Sequence, residues 1–157
     1  RSSVYGPVEA VSCDDAEAVL VTLGSIAGLA RESVARLREQ GKRVGLLRIR
    51  YMRPFPAKLI AEALAGAAAV GVLEKDISFG AEGTVFTNVN SALQQAGCMV
   101  PTFNFVGGLG GDDITSARWT PCSMRCSIAW ASEGAMMLPR GGAATMPLPA
   151  RELGLAA

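Results

Sequence analysis

The sequence contains no histidine. That removes the commonest general base and the commonest transition-metal ligand. Ser-His-Asp and Cys-His catalysis are excluded within this chain, and a zinc enzyme is disfavoured. Cysteine is scarce: Cys13, Cys98, Cys122 and Cys126 are too few and too scattered for a secreted disulfide framework. The reading is a reducing cytoplasm. No charge dominates either, with 15 basic and 14 acidic residues giving +1. No strong field therefore favours nucleic acid or an anionic membrane. Half the residues are apolar, yet no run approaches the ~20 residues of a membrane span. The longest candidate, from Ala63 to Leu73, is broken by Gly66 and Gly71. The opening RSSVYGPVEAVSCDD lacks the apolar stretch of a signal peptide. Neither a nucleic-acid partner nor a membrane is expected.

What is present is an alternation of apolar runs and glycine-punctuated helical patterns. Residues 1–15 read as an extended lead-in. Ala18 to Leu23 (AVLVTL) is the kind of continuous apolar run that suits a strand covered on both faces. Gly24-Ser25 reads as a turn and cap. Ile26 to Gln40 follows helical spacing through Ile26, Leu29, Ala30, Val34 and Leu37, and Gly41 ends it. Val44 to Ile49 is the second strand. Pro54 and Pro56 break the chain, Ala57 to Leu64 is a short helix, and Ala68 to Leu73 the third strand. A turn at Gly80–Gly83 leads to a helix from Thr84 to Gln95, and Pro101 to Val106 is the fourth strand. This order predicts one parallel sheet with right-handed crossovers. The expected fold class is a three-layer α/β/α sandwich with a mostly parallel sheet. The domain spans residues 16–115. Residues 116–157 form an extension or arm, with a short helix possible from Ser127 to Leu138.

Several constellations have chemical readings with plainer alternatives. VTLGSIAG offers a helix N-terminus that can hold an anion, but lacks GxGxxG and a Walker lysine. In LLRIRYMRPFP, Arg48 and Arg50 alternate onto one face at a strand end, with Arg53 beyond. They can clamp a phosphate or carboxylate, or pair with acids on a neighbouring domain. Glu74, Asp76 and Glu82 surround the end of the third strand. Paired carboxylates can share acid–base work or bind a hard cation, though a capping and partner-facing role is the simpler reading. Asp112-Asp113 poses the same choice. Cys122-x-x-x-Cys126 does not complete a tetrahedral metal site.

Taken together and in order, AEAVLVTLGSIAG, RVGLLRIRYMRPFP, ISFGAEG and GGLGGDDIT resemble the alpha chain of 2-oxoacid:ferredoxin oxidoreductases. Pyruvate synthase is the best-known member. The resemblance covers about residues 4–115 and is to the second domain, which is similar to the transketolase C-terminal domain. It implies membership in an enzyme complex that oxidatively decarboxylates a 2-oxoacid with thiamine diphosphate, commonly to an acyl-CoA. Electrons would pass through iron–sulfur clusters to ferredoxin or another acceptor. It places the thiamine, Mg²⁺ and iron–sulfur sites in other domains or subunits, so no catalytic, cofactor-binding or metal-binding residue is assigned here. The signature residues carry over as candidate interdomain contacts: Arg48, Arg50, Arg53, Ser78, Gly80, Gly83, Gly107, Gly108, Gly110, Gly111 and Asp112. Asp112 stands where many relatives have Arg, and Asn88 where many have Glu.

Two functions follow. In the first, the chain is a non-catalytic assembly domain of the oxidoreductase, with an apolar patch and arginines at one edge that have few partners within the chain. In the second, it is an independent nucleotide- or CoA-binding module, with a closed pocket and unpaired N–H groups at the strand C-termini.

Overall fold

The AVLVTL run is apolar but for the buried Thr22 because helices cover both faces of the sheet. The computed structural model describes residues 5–111, 114 and 144–145. Along the chain these form β1 (Val8–Val11), β2 (Ala18–Leu23), α1 (Ile26–Glu39), β3 (Val44–Ile49), α2 (Ala57–Leu64), β4 (Ala69–Glu74), α3 (Thr84–Gln95), β5 (Thr102–Val106) and a two-residue β6 (Ala144–Thr145). The strands make one sheet in the order β1-β3-β2-β4-β5-β6. All neighbours from β3 to β6 are parallel, and β1 alone is antiparallel, to β3.

Successive strand residues point to opposite faces, and each face has its own core. On one side α1 presents Ile26, Ala30 and Val34 to Leu20, Leu46, Leu73, Phe103 and Phe105. On the other, α2 and α3 present Ile60, Leu64, Phe86 and Val89 to Val19, Val21, Leu47, Val70 and Val72. The result is the expected three-layer α/β/α sandwich. The chain leaves β2 for β3 on one side and returns to β4 on the other, so β2 and β4 flank the point where strand order reverses. Open sheets of this kind make their contacts at the strand C-termini.

Several details differ from the sequence reading, among them the end of α1 at Glu39 rather than Gln40 and the start of β5 at Thr102 rather than Pro101. Part of the lead-in, Val8–Val11, is the antiparallel edge strand β1. The third expected strand starts one residue later, because the Ala68 N–H donates to the Glu17 carbonyl at the turn, and it ends one later, at Glu74, which pairs in register with Val106. Ser25 occupies the position before α1, but its side chain caps nothing. In the segment expected to be an arm, Ala144–Thr145 pairs with β5. Gly41 ends α1 as expected, with φ +77° and its N–H on the Arg38 carbonyl. The Ser127–Leu138 helix, Asp113, Cys122 and Cys126 lie outside the described residues.

Candidate functional site

The sequence-predicted residues gather at the C-terminal ends of the parallel strands. Arg48 lies near the end of β3, with Arg50 and Arg53 just beyond it. Ser78, Gly80 and Gly83 lie between β4 and α3, and Gly107 to Gly111 after β5. Asp112 lies outside the described residues.

A buried hydrogen-bonded network at this end is built around Glu74. This last residue of β4 is 2% exposed. Its Oε2 accepts the Val85 N–H at 2.7 Å, and its Oε1 accepts the Phe86 N–H at 3.2 Å. Those are orphan donors of the first turn of α3, so Glu74 caps the helix from a neighbouring strand. Oε1 also accepts the Asn104 side-chain N–H at 2.8 Å, and the Asn104 Oδ1 in turn accepts the Gly83 N–H at 3.0 Å. Burial pushes the Glu74 carboxyl up to about 7, against the pull of these three donors, and Asp76 adds to the rise. Gly83 fits only because it has no side chain: a Cβ there would overlap the Glu74 carboxyl group.

Between these fixed points runs the 75–83 segment. Ser78 and Glu82 close it into a tight turn, with the Ser78 N–H on the Glu82 carbonyl at 3.1 Å and the Ala81 N–H on the Ser78 carbonyl at 2.9 Å. Gly80 takes φ +73° at its tip. The Ser78 hydroxyl meets that of Thr84 at 3.3 Å. The Thr87 hydroxyl donates to the Glu82 carboxylate at 3.1 Å. This turn carries Phe79, whose side chain is fully exposed, and Ile77, which is also exposed. The adjacent β5 loop adds exposed Leu109. That loop is tied to β4 by the Gly107 N–H on the Glu74 carbonyl at 3.0 Å. Lys75 lies close over Gly108, and Gly110 and Gly111 form the short 3₁₀ turn that follows.

The arginines behave differently from the expectation of few partners within the chain. The Arg50 guanidinium donates to Glu9 at 2.7 Å and lies 5.1 Å over the Tyr5 ring. Arg48 approaches the same Glu9 oxygen at 3.6 Å, and Arg31 of α1 reaches the other at 2.5 Å. Burial opposes the charge of Glu9, but Arg31 and Arg50 outweigh it and hold its carboxyl below the usual range. Only exposed Arg53 lacks an acid among the described residues; it donates to the Met52 carbonyl at 2.8 Å, next to a cis Arg53–Pro54 bond.

Glu9 and Asn104 were not singled out from the sequence. Asn104 had a signal, a polar residue inside the buried run TFNFV. Glu9 had none, because its partners lie 22 to 41 residues away. Among the described residues no cluster of three His, Cys, Asp or Glu could hold a metal ion, and no helix is long and apolar enough to cross a membrane. The geometry can present exposed Ile77 and Phe79 on a hydrogen-bonded turn. It does not offer α3 as an anion site, since the chain's own carboxylate already occupies that helix N-terminus.

Residues 16–118 match the family model of the pyruvate:ferredoxin oxidoreductase core domain II. The chain is 43% identical over 114 residues to the pyruvate synthase subunit PorA of Methanothermobacter thermautotrophicus, covering 73% of this chain and 29% of that one. It is 38% identical over 108 residues to the ketoisovalerate oxidoreductase subunit VorA of Pyrococcus abyssi, covering 69% and 27%. The chain thus spans less than a third of the length of these curated relatives. Among solved structures it is similar to 2-oxoglutarate:ferredoxin oxidoreductase from Magnetococcus marinus, with a TM-score of 0.58, 19% identity, and coverage of 78% of this chain and 20% of that one. It is also similar to a split-gene transketolase in an inactive β4 tetramer, with a TM-score of 0.55, 18% identity, and coverage of 84% and 42%. At such identities these two establish the fold alone.

Proposed function

Because the chain belongs to the pyruvate:ferredoxin oxidoreductase core domain II family, we propose that it is an assembly domain of a thiamine-diphosphate-dependent 2-oxoacid:ferredoxin oxidoreductase. In this reading the complex oxidatively decarboxylates a 2-oxoacid, commonly to an acyl-CoA. The thiamine, Mg²⁺ and iron–sulfur sites belong to other domains or subunits, and electrons leave to ferredoxin or another acceptor. The domain comprises residues 16–115, and the complex works in the cytoplasm, where the free thiols of Cys13 and Cys98 stay reduced.

The observation that carries this reading is Phe79. A large aromatic that is fully exposed on a hydrogen-bonded turn, with exposed Ile77 on the same turn and exposed Leu109 on the loop after the neighbouring strand β5, is apolar surface waiting for cover. It sits at the sheet end, where α/β domains make their contacts. Gly83 shapes that end by leaving room for the Glu74 carboxyl group, and Gly80 and Gly108 by taking positive φ, with Gly107 tied to β4. Of the arginines, Arg53 remains available to a partner's carboxylate, while Arg48 and Arg50 brace the neighbouring edge through Glu9. The nucleotide- or CoA-binding alternative has less support: the N–H groups at the start of α3 already have partners, and α1, whose start Ser25 does not cap, follows a turn without GxGxxG or a Walker lysine.

The test is reconstitution. The purified chain should not reduce a viologen dye with a 2-oxoacid, thiamine diphosphate, Mg²⁺ and CoA, and should co-purify with the remaining parts of the oxidoreductase, as identified by mass spectrometry. Turnover by the chain alone would refute the proposal.

A further inference from the structure

One row of side chains crosses the sheet near the C-terminal ends of its parallel strands. Glu9 of β1 stands opposite Arg48 of β3, Arg48 opposite Thr22 of β2, and Thr22 opposite Leu73 of β4. Alternation puts them all on the face that α1 covers, where Leu20, Leu46 and Leu73 pack. Two polar atoms in this row are buried and have no hydrogen-bond partner, the Thr22 Oγ1 and the Arg48 Nε. Thr22 is fully buried. Neighbouring strands lie about 5 Å apart, so one small group can meet both atoms. The Arg48 Nη1 is the atom turned to Glu9, at 3.6 Å. That leaves the guanidinium edge containing Nε, a fork that grips carboxylate and phosphate oxygens in parallel.

Two further features favour a negative charge here. The chain turns at Gly24, with φ +77°, and α1 begins four residues after Thr22. Ser25 caps nothing, so the first-turn donors and the positive end of the helix dipole face this end of the sheet. Arg31, Arg48 and Arg50 also share Glu9 as their acid among the described residues, three guanidiniums against one carboxylate. A bridging water would satisfy the two buried atoms and leave the excess charge; an anion answers both.

We propose that Arg48, Thr22 and the start of α1 form a site for one oxyanion, a carboxylate or a phosphate group. The Arg48 side chain is 38% exposed, so the anion approaches along its guanidinium, and the Thr22 hydroxyl is the floor. Glu9 braces Arg48 from the neighbouring strand. The site takes a single oxyanion rather than a nucleotide, because TLGSIAG has neither a glycine cradle nor a Walker lysine. It does not depend on the docking role of Phe79, which lies on the turn after β4.

The experiment titrates the full chain with sodium phosphate and, separately, with sodium acetate, at an ionic strength held constant with sodium chloride. ¹⁵N–¹H NMR follows the Thr22, Gly24, Ser25 and Ile26 amides and the Arg48 Nε–H. Saturable shifts at these positions are expected, and the tighter of the two anions names the source as phosphate or carboxylate. Thr22→Val, which keeps the shape and removes the hydroxyl, should weaken binding about fivefold. Arg48→Lys, which keeps the charge and removes the fork, should weaken it about tenfold. Thr22→Val removes a buried unpaired hydroxyl and should fold at least as well as the wild type, so the proposal remains testable if Arg48→Lys does not fold. Shifts that grow without saturating, that chloride reproduces, or that both variants leave unchanged would overturn it, leaving water as the group that bridges the two atoms.

Discussion

Gly83 and Glu74 are packed so tightly that no side chain can be added at Gly83 without displacing the Glu74 carboxyl group. Gly83 keeps an ordinary extended backbone, with φ −67° and ψ 146°, so its requirement is space rather than conformational freedom. Gly83→Ala should expel Glu74 and strand the Val85, Phe86 and Asn104 donors together. The expected cost is about 3 kcal/mol, or a melting temperature lower by roughly 10 °C. Thermal denaturation followed by circular dichroism measures it. A melting temperature unchanged by the extra methyl would mean that the carboxylate is not held there.

Glu74 also makes stability depend on pH in an unusual direction. Its carboxyl rises from the usual 4.5 to about 7 on folding. Between those values the folded chain holds a proton that the unfolded chain has released. Stability should therefore fall as pH rises from about 5 to 7 and level off above that. The amplitude is on the order of 2 kcal/mol. Glu9 acts oppositely and lower down: its carboxyl is lowered on folding, so its contribution is lost as pH falls through the folded value. Urea denaturation from pH 5 to 8 should show the decline in the wild-type chain and none in Glu74→Gln.

Glu9 collects Arg31, Arg48 and Arg50 on the β1–β3 edge. Removing it leaves three guanidiniums facing one another. Glu9→Ala should cost about 1–2 kcal/mol at low ionic strength, and added salt should recover part of that loss. Arg53→Ala, at an exposed side chain whose hydrogen bond among the described residues is to a neighbouring carbonyl, should leave the melting temperature within about 1 °C. Equal losses from Glu9→Ala and Arg53→Ala would show that the Glu9 cluster contributes nothing.

Much of the fold was legible because local signals agreed with the global packing. The apolar runs Ala18–Leu23 and Val44–Ile49 coincide with β2 and β3. Ala57–Leu64 and Thr84–Gln95, bounded by prolines and glycines, coincide with α2 and α3. β1 was not legible as a strand: its four residues are recruited by β3 across more than thirty residues of chain. The capping role weighed for Glu74 was readable from its place at a strand end, but the partnership with Asn104 spans 30 residues and has no sequence signature. Ser25 shows the converse. It has the composition of a cap, yet it sits in a helical conformation where its hydroxyl cannot reach back to the helix start.

The cofactor proposal has a direct test on the isolated chain. With thiamine and Mg²⁺ sites assigned to other domains, titration with thiamine diphosphate and Mg²⁺ should give no calorimetric signal. Micromolar binding would place the cofactor site here and contradict that assignment.

The most direct measurement is the association of Phe79→Asp with the remaining parts of the oxidoreductase, followed by analytical ultracentrifugation. Among the described residues Phe79 has no packing to lose, since its side chain is fully exposed. The melting temperature of the variant should match the wild type within about 1 °C. Burying an unpaired carboxylate at the centre of an interface should instead weaken association by at least about 2 kcal/mol, a loss of thirtyfold or more. The expected result is a wild-type chain that sediments with its partners and a folded variant that sediments alone. A Phe79→Asp chain that assembles as tightly as the wild type would contradict the assignment of this turn as the docking face.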